Sequence, residues 1–185
     1  MSLVRCVALL RGINVGGNTM IKMAELKLSF ESLGFEKVVT YINSGNVAFD
    51  CKTPSKKAEL QFEHKLVEQL EAVIEKDFGK TVPVMVRKQE RLLSIFANNP
   101  FEGEFESHKE MHVLFMRDEM PVEKQEQLLS LQTADERFVI AGREIYCHLK
   151  LGVADSLLGK SFIEKKLKTP ITARNWRTVE KLTLM

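Results

Sequence analysis

From Leu3 to Leu10 the chain is apolar on both alternating sets of positions, with Val4, Cys6, Ala8 and Leu10 on one side and Leu3, Val7 and Leu9 on the other. A strand with that pattern is buried on two faces and belongs in the middle of a sheet. Arg11 to Thr19 interrupts it with three glycines and two asparagines, a loop composition. Met23, Leu26, Phe30 and Leu33 then recur at helical spacing ahead of Gly34, which predicts a first helix with a glycine stop.

Two β-branched and aromatic segments follow, at 37–42 and 47–49. They are separated by Asn43-Ser44-Gly45-Asn46, residues suited to the positive φ angles of a hairpin turn. Between 55 and 78, Phe62, Leu66, Leu70, Val73 and Ile74 recur every three or four positions among charges, and Gly79 ends the run; this predicts a long amphipathic helix. A fourth strand is expected over 82–87. Its Pro83 has no N–H to give to a ladder, which puts the strand at a sheet edge. The order βαββαβ is the ferredoxin-like supersecondary pattern, whose strand order 4-1-3-2 places strand one centrally and strand four at the edge.

Beyond a short helix over 88–97, residues 98–110 lose all periodicity and carry a net charge of −3, and they read as a linker. The pattern then begins again. Strands are predicted at 111–116, 137–140 and 144–149, helices at 122–131 and 157–167, a short strand at 170–172 led by Pro170, and a terminal helix at 174–182. The expected architecture is therefore α+β, with two tandem ferredoxin-like (α-β plait) units plus a C-terminal helix: 1–97 as the first unit with its trailing helix, 98–110 as linker, and 111–185 as the second. Only the order of elements repeats; no residue-level repeat is visible. Both faces of the strands at 3–10 and 111–116 look buried, so each sheet needs cover on the side away from its helices.

Composition narrows the functional classes. The 185 residues are 44% hydrophobic and 28% charged, which is ordinary for a globular chain. A net charge of +2 supplies no global field for nucleic acid or an anionic membrane. No apolar run reaches the ~20 residues of a spanning helix, and the apolar N-terminal run has no cleavage pattern after it, so a cytoplasmic location with no membrane partner is expected. Cys6, Cys51 and Cys147 are widely spaced and form no CxxC pair, the pattern of reduced structural thiols. Only His108 and His112 among the four histidines are close in sequence, and they straddle the linker and a strand. Neither a metal site nor a cofactor is expected.

Chemistry is expected where three loops converge. In a βαββαβ unit the first two strands run in the same direction, so the loop 11–18, the hairpin 43–46 and the loop 77–80 share one end of the sheet. Arg11, Gly12, Asn14, Gly16, Gly17, Asn18, Asn43, Ser44, Gly45 and Asn46 are the candidate ligand-binding residues. Glycine-freed amides ahead of a helix N-terminus favour a small anionic or phosphorylated ligand. The loop has neither the Gly-Lys-Ser/Thr ending of a P-loop nor a GxGxxG spacing, and the bland reading is that its glycines serve turns while its asparagines satisfy backbone groups. An enzyme acting at the same loops is an alternative; no catalytic triad order, GxSxG or HExxH can be picked out.

A second candidate site is Arg174, Asn175 and Trp176, in a stretch whose net charge from residue 160 onward is +5. Basic charge beside an aromatic binds single-stranded nucleic acid by stacking and phosphate contact; the competing reading is a tryptophan that anchors the final helix to the core. No RNP-like run of aromatics supports the former.

Three motifs also carry a family likeness: Ala8-Leu-Leu-Arg-Gly-Ile-Asn-Val-Gly-Gly-Asn18, Tyr41-Ile-Asn-Ser-Gly-Asn-Val47 and Thr172-Ala-Arg-Asn-Trp-Arg-Thr-Val-Glu-Lys-Leu182. In this order the chain closely resembles, over nearly its whole length, the bacterial family known as domain of unknown function 1697. The resemblance implies a pair of ferredoxin-like units and no established activity, cofactor or substrate.

Overall fold

The structure, a computed structural model, describes residues 2–17, 19–53, 59–154, 156–159 and 162–185. The chain divides into two compact units. One comprises Met1–Leu93 together with Leu182–Met185, the other Ser94–Lys181.

In the first unit β1 (Ser2–Leu10), α1 (Met23–Ser32), β2 (Glu36–Tyr41), β3 (Asn46–Thr53), α2 (Glu59–Phe78) and β4 (Val84–Lys88) follow one another, and α3 (Gln89–Ala97) begins directly after. The four strands form an antiparallel sheet in the order β2-β3-β1-β4. β1 is therefore central and β4 is an edge. Pro83 sits immediately before β4 and not within it; its carbonyl accepts the Arg11 N–H at 2.9 Å, a bond that uses the acceptor which proline retains.

β3 extends to Thr53, past the end expected at residue 49. The charged Asp50 interrupts the β-rich pattern in sequence, but in the sheet it lies opposite Arg5 and is bound by Arg5 Nη1 at 3.0 Å and Lys37 Nζ at 3.1 Å. Burial pushes the Asp50 carboxyl up, and the hydrogen bonds from Lys37 and Arg5 outweigh that and hold it below its ordinary value. A paired carboxylate can thus continue a strand that an unpaired one would end.

The core of this unit lies on one face of the sheet. Cys6, Ala8, Leu10, Val47, Phe49, Cys51, Val84 and Val86 meet Leu26 and Phe30 of α1 and Phe62, Leu66, Leu70, Val73 and Ile74 of α2. These helical positions are those whose spacing predicted the helices. Phe35 stacks on Phe49 with centroids 4.5 Å apart, and Phe30 meets Phe49 edge-on at 5.5 Å. The opposite face is buried as well: Val7, Leu9 and Met85 are fully enclosed, and so is Arg87.

The second unit repeats the sheet. β5 (Met111–Met116), α4 (Val122–Leu129), β6 (Glu136–Ala141), β7 (Glu144–Leu149), α5 (Phe162–Leu167), β8 (Ile171–Asn175) and α6 (Trp176–Thr183) give the antiparallel order β6-β7-β5-β8. Its core joins Leu114, Met116, Ile145, Cys147 and Ile171 to Leu128 of α4 and Ile163 of α5. α5 is described only from Phe162, and turns precede it at 156–159.

Residues 98–110, which read as a linker, fold within this second unit. Glu104 pairs with Arg137, whose guanidinium lies 4.8 Å from the Phe101 ring centre. The Glu110 carbonyl accepts the Leu149 N–H at 2.7 Å. Mixed charge and scattered phenylalanines hid this from a periodicity argument, because irregular segments pack without a repeat.

Candidate functional site

Topology brings the three predicted loops to one end of the first sheet. The Leu10 N–H donates to the Gly45 carbonyl at 2.8 Å, and the Asn14 side-chain Nδ2 donates to the Asn43 carbonyl at 2.8 Å. The glycine loop and the hairpin are therefore direct neighbours. Arg11 N–H reaching the Pro83 carbonyl ties in the strand that follows α2.

Asn14 is the staple of this arrangement. Its Nδ2 donates to both the Ile21 carbonyl (2.9 Å) and the Asn43 carbonyl, while its Oδ1 accepts the Ile21 N–H at 2.9 Å. One side chain thus closes its own loop and fastens it to the hairpin. Its φ of 56° lies in the left-handed region that asparagine tolerates. Gly45 makes the close approach that the hairpin requires: at φ 79°, an added Cβ would lie 2.7 Å from the Leu10 Cβ and 2.9 Å from the Ile13 Cδ1. Asn46 is fully buried, and its Nδ2 donates to the Tyr41 carbonyl (3.1 Å) and the Ser44 Oγ (3.0 Å).

The backbone here is held under strain. Thr19 at φ 48° and Ile42 at φ 46° are β-branched residues in a conformation that costs them of order 1–3 kcal/mol each. Such strain persists only where surrounding bonds over-determine it.

The predicted residues therefore sort by role. Asn14, Gly45 and Asn46 build the frame, and their polar groups are spent on it. Gly12, Gly16, Gly17 and Asn43 are exposed, and Arg11 and Ser44 half-exposed. Asn18 lies outside the described residues. Missed by the sequence reading are Val15, Met20 and Ile42, large apolar side chains left 64%, 66% and 52% exposed around the same loops. Their only signal was being apolar inside a polar, glycine-rich stretch. The carboxylate within the third loop, Asp77, accepts the Ser29 hydroxyl at 2.6 Å.

Of the second predicted trio, Arg174 and Trp176 are buried and Asn175 is half-buried. Arg174 is buried on β8, where its Nη1 donates to the Thr172 Oγ1 and the Ala173 carbonyl, each at 2.8 Å. Burial pushes its guanidinium down to about 10. Asn175 Oδ1 accepts the Thr178 N–H at 2.9 Å, the bond of a helix N-cap. Trp176 is 4% exposed and stacks on Phe96 at 5.0 Å, with Phe105 edge-on at 6.3 Å.

Histidines occupy separate environments. His112 is buried on β5 with no hydrogen-bond partner at Nδ1, and burial pushes it down to about 4. His148 Nδ1 lies 3.2 Å from Arg137 Nη2; burial, and then the Arg137 charge, lower it. Among the described residues no group of three or more His, Cys, Asp or Glu side chains is placed to hold a metal ion, and no helix is long and apolar enough to cross a membrane.

Comparison with known proteins agrees with the first two motifs; the third, at 172–182, lies beyond the family match. The model of the family described as protein of unknown function (DUF1697) matches residues 3–146. A solved structure, the conserved bacterial protein SP0830 from Streptococcus pneumoniae, is similar with a TM-score of 0.77 and 27% sequence identity, over 99% of this chain and 98% of that one. No curated protein matches. The chain belongs to the DUF1697 family.

Proposed function

We propose, from the geometry above, that this DUF1697 protein binds a small anionic ligand, phosphorylated compounds foremost, at the loop cluster of its first unit. The same reading takes each unit as a ferredoxin-like (α-β plait) fold, supported by the strand order β2-β3-β1-β4 and its repetition as β6-β7-β5-β8. The observation that carries the binding proposal is the Asn14 staple: three hydrogen bonds from one side chain hold exposed glycine backbone in one place ahead of α1. Preorganised amides lower the ordering cost of binding.

Arg11 and Lys80 are the cations of these loops, and their sign selects an anion. The Gly16 and Gly17 amides, Arg11 and Ser44 are the proposed contacts, while Val15, Met20 and Ile42 offer an apolar rim to a ligand with a carbon skeleton. Asn14 and Asn46 act by holding the loops.

Thermal denaturation with inorganic phosphate, nucleoside phosphates, sugar phosphates and simple carboxylates tests this. A true ligand at 100 times its Kd stabilises by about 2.7 kcal/mol, and that gain is lost in Arg11→Ala. If the whole panel leaves Tm unchanged, the reading is overturned.

A further inference from the structure

At the other end of the same sheet, where β3 finishes and α1 has ended, a cleft of about 450 Å³ opens in the first unit. That volume lies in the range of small-molecule sites. Phe35, Phe62 and Leu66 supply apolar walls, Lys52 and Lys65 add two cations, and Cys51 is part of the lining. Cys51 as a whole is 5% exposed. Behind it, fully buried, is Cys6, with the two sulfurs 3.9 Å apart.

Sheet register explains how residues so distant in sequence meet. Cys6 lies opposite Phe49 and Cys51 opposite Val4, so the cysteines occupy diagonal positions on adjacent strands and point to the same face. The third cysteine, Cys147, is fully buried and is the only cysteine between residues 94 and 181.

We propose that Cys51 is a peroxide-reactive thiol and Cys6 its resolving partner, with a small hydroperoxide entering through the cleft as oxidant. The Cys51 thiolate attacks the terminal oxygen of the hydroperoxide; an S–O bond forms, the O–O bond breaks, and the alkoxide or hydroxide released takes a proton from water. The resulting sulfenic acid is attacked by the Cys6 sulfur. An S–S bond forms, the S–O bond breaks, and the hydroxide leaves as water with the Cys6 proton. Two electrons pass from the two thiols to the peroxide.

The roles follow from position. Cys51 borders the cleft, so it meets the oxidant first, and its slight exposure admits only a small one. Cys6 is fully buried behind its neighbour and does not line the cleft. The sulfur–sulfur contact holds the Cys51 thiol below its ordinary value against the opposing effects of burial and the Asp50 charge, and the same contact together with burial pushes Cys6 up. Lys52 and Lys65 in the same lining favour an anionic oxygen leaving into the cleft. Closing 3.9 Å to the ~2 Å of a disulfide calls for rotation of the two side chains, for which the cleft leaves room beside Cys51.

The test treats the full folded chain with hydrogen peroxide, blocks the remaining thiols, and maps them by mass spectrometry. The expected result is a Cys6–Cys51 disulfide, with Cys51 consumed at least about tenfold faster than Cys147, as thiolate character and access dictate. In Cys6→Ala the sulfenic acid persists on Cys51 and is read as the gain of one oxygen by mass spectrometry. Equal consumption of all three thiols, reaction only after unfolding in urea, or first oxidation at Cys6 or Cys147 overturns the proposal. The wild-type rates decide it even if the variant fails to fold.

Discussion

The two units share one strand order and one hinge point between strand and hairpin, yet they finish the same end of the sheet differently. In the first, the Leu10 N–H donates to the Gly45 carbonyl at 2.8 Å; in the second, the Met116 N–H donates to the Arg143 carbonyl at 2.9 Å. Those bonds align β1 with β5 and β3 with β7. Between strand and helix the first unit then spends residues 11–22, the second only 117–121. Topology alone therefore does not call for the glycine loop, and the strained, Asn14-stapled backbone is an addition to a scaffold that closes without it. Additions of that kind are where loops carry function.

The same alignment places His112 of β5 where β1 has Cys6, and Cys147 of β7 where β3 has Phe49, since Cys6 faces Phe49 and His112 faces Cys147. The first unit thus pairs a thiol with an aromatic ring at this point of its helix-covered face, and the second pairs an imidazole with a thiol. In the first unit a second thiol reaches it; in the second, among the described residues, nothing bonds His112 Nδ1.

The largest expected effect breaks the hairpin contact of the first unit. Gly45→Ala forces a Cβ against Leu10 and Ile13 in a backbone conformation that favours glycine, a combined cost of about 4 kcal/mol from overpacking and left-handed strain. Gly16→Ala, at a similar φ but with nothing within 4 Å, separates the two contributions and costs about 1 kcal/mol. Urea denaturation of both variants measures the gap; equal losses would show that the close approach is not what demands glycine.

A pH effect belongs to the second unit. His112 titrates in the folded protein at about 4, below its ordinary 6.5, so between those values the unfolded chain binds a proton that the native state refuses. Stability is complete above about pH 6.5 and declines as pH falls towards 4, by about 3 kcal/mol in all. His112→Phe removes that part of the pH dependence, read as the difference between variant and wild-type denaturation at pH 7 and pH 5. Cys6, at the matching position, contributes nothing over this range because its pKa is raised.

Smaller again is the loss of the staple. Asn14→Ala deletes three hydrogen bonds at about 2 kcal/mol in total, and it also frees residues 12–20. Faster amide exchange in that loop, with the β1 amides unchanged, is the expected signature. Uniform destabilisation would mean that the loop is part of the scaffold and not an addition to it.

Much of this was legible in the chain. The strands at 111–116 and 144–149 stand at the limits that hydrophobic pattern predicts, and two prolines marked strands that are edges. The neighbourhood of residues 12–17 and 43–46, held by the Asn14–Asn43 bond, follows from strand order alone. Illegible were features that depend on pairing: β3 running on through Asp50 because Arg5 and Lys37 bind it, and β8 reaching Asn175, which encloses Arg174. A run of charges near an aromatic looks alike whether it faces water or ends a strand. The approach of Cys6 to Cys51 depends on register, and register is invisible until β3 is known to pass residue 49.

Residues 182–185 group with the first unit although the whole second unit precedes them in the chain. Gln89 Nε2 donates to the Leu182 and Thr183 carbonyls at 3.0 and 2.6 Å, and Arg5 Nε donates to the Met185 carbonyl at 3.1 Å. During synthesis the first unit therefore waits: its sheet can assemble from residues 2–88, but these three bonds form only after the second unit has been made. Until then Arg5 and Gln89 face a nascent chain without those partners, and completion of the first-made unit is coupled to translation of its own residues 182–185, which follow the whole of the other.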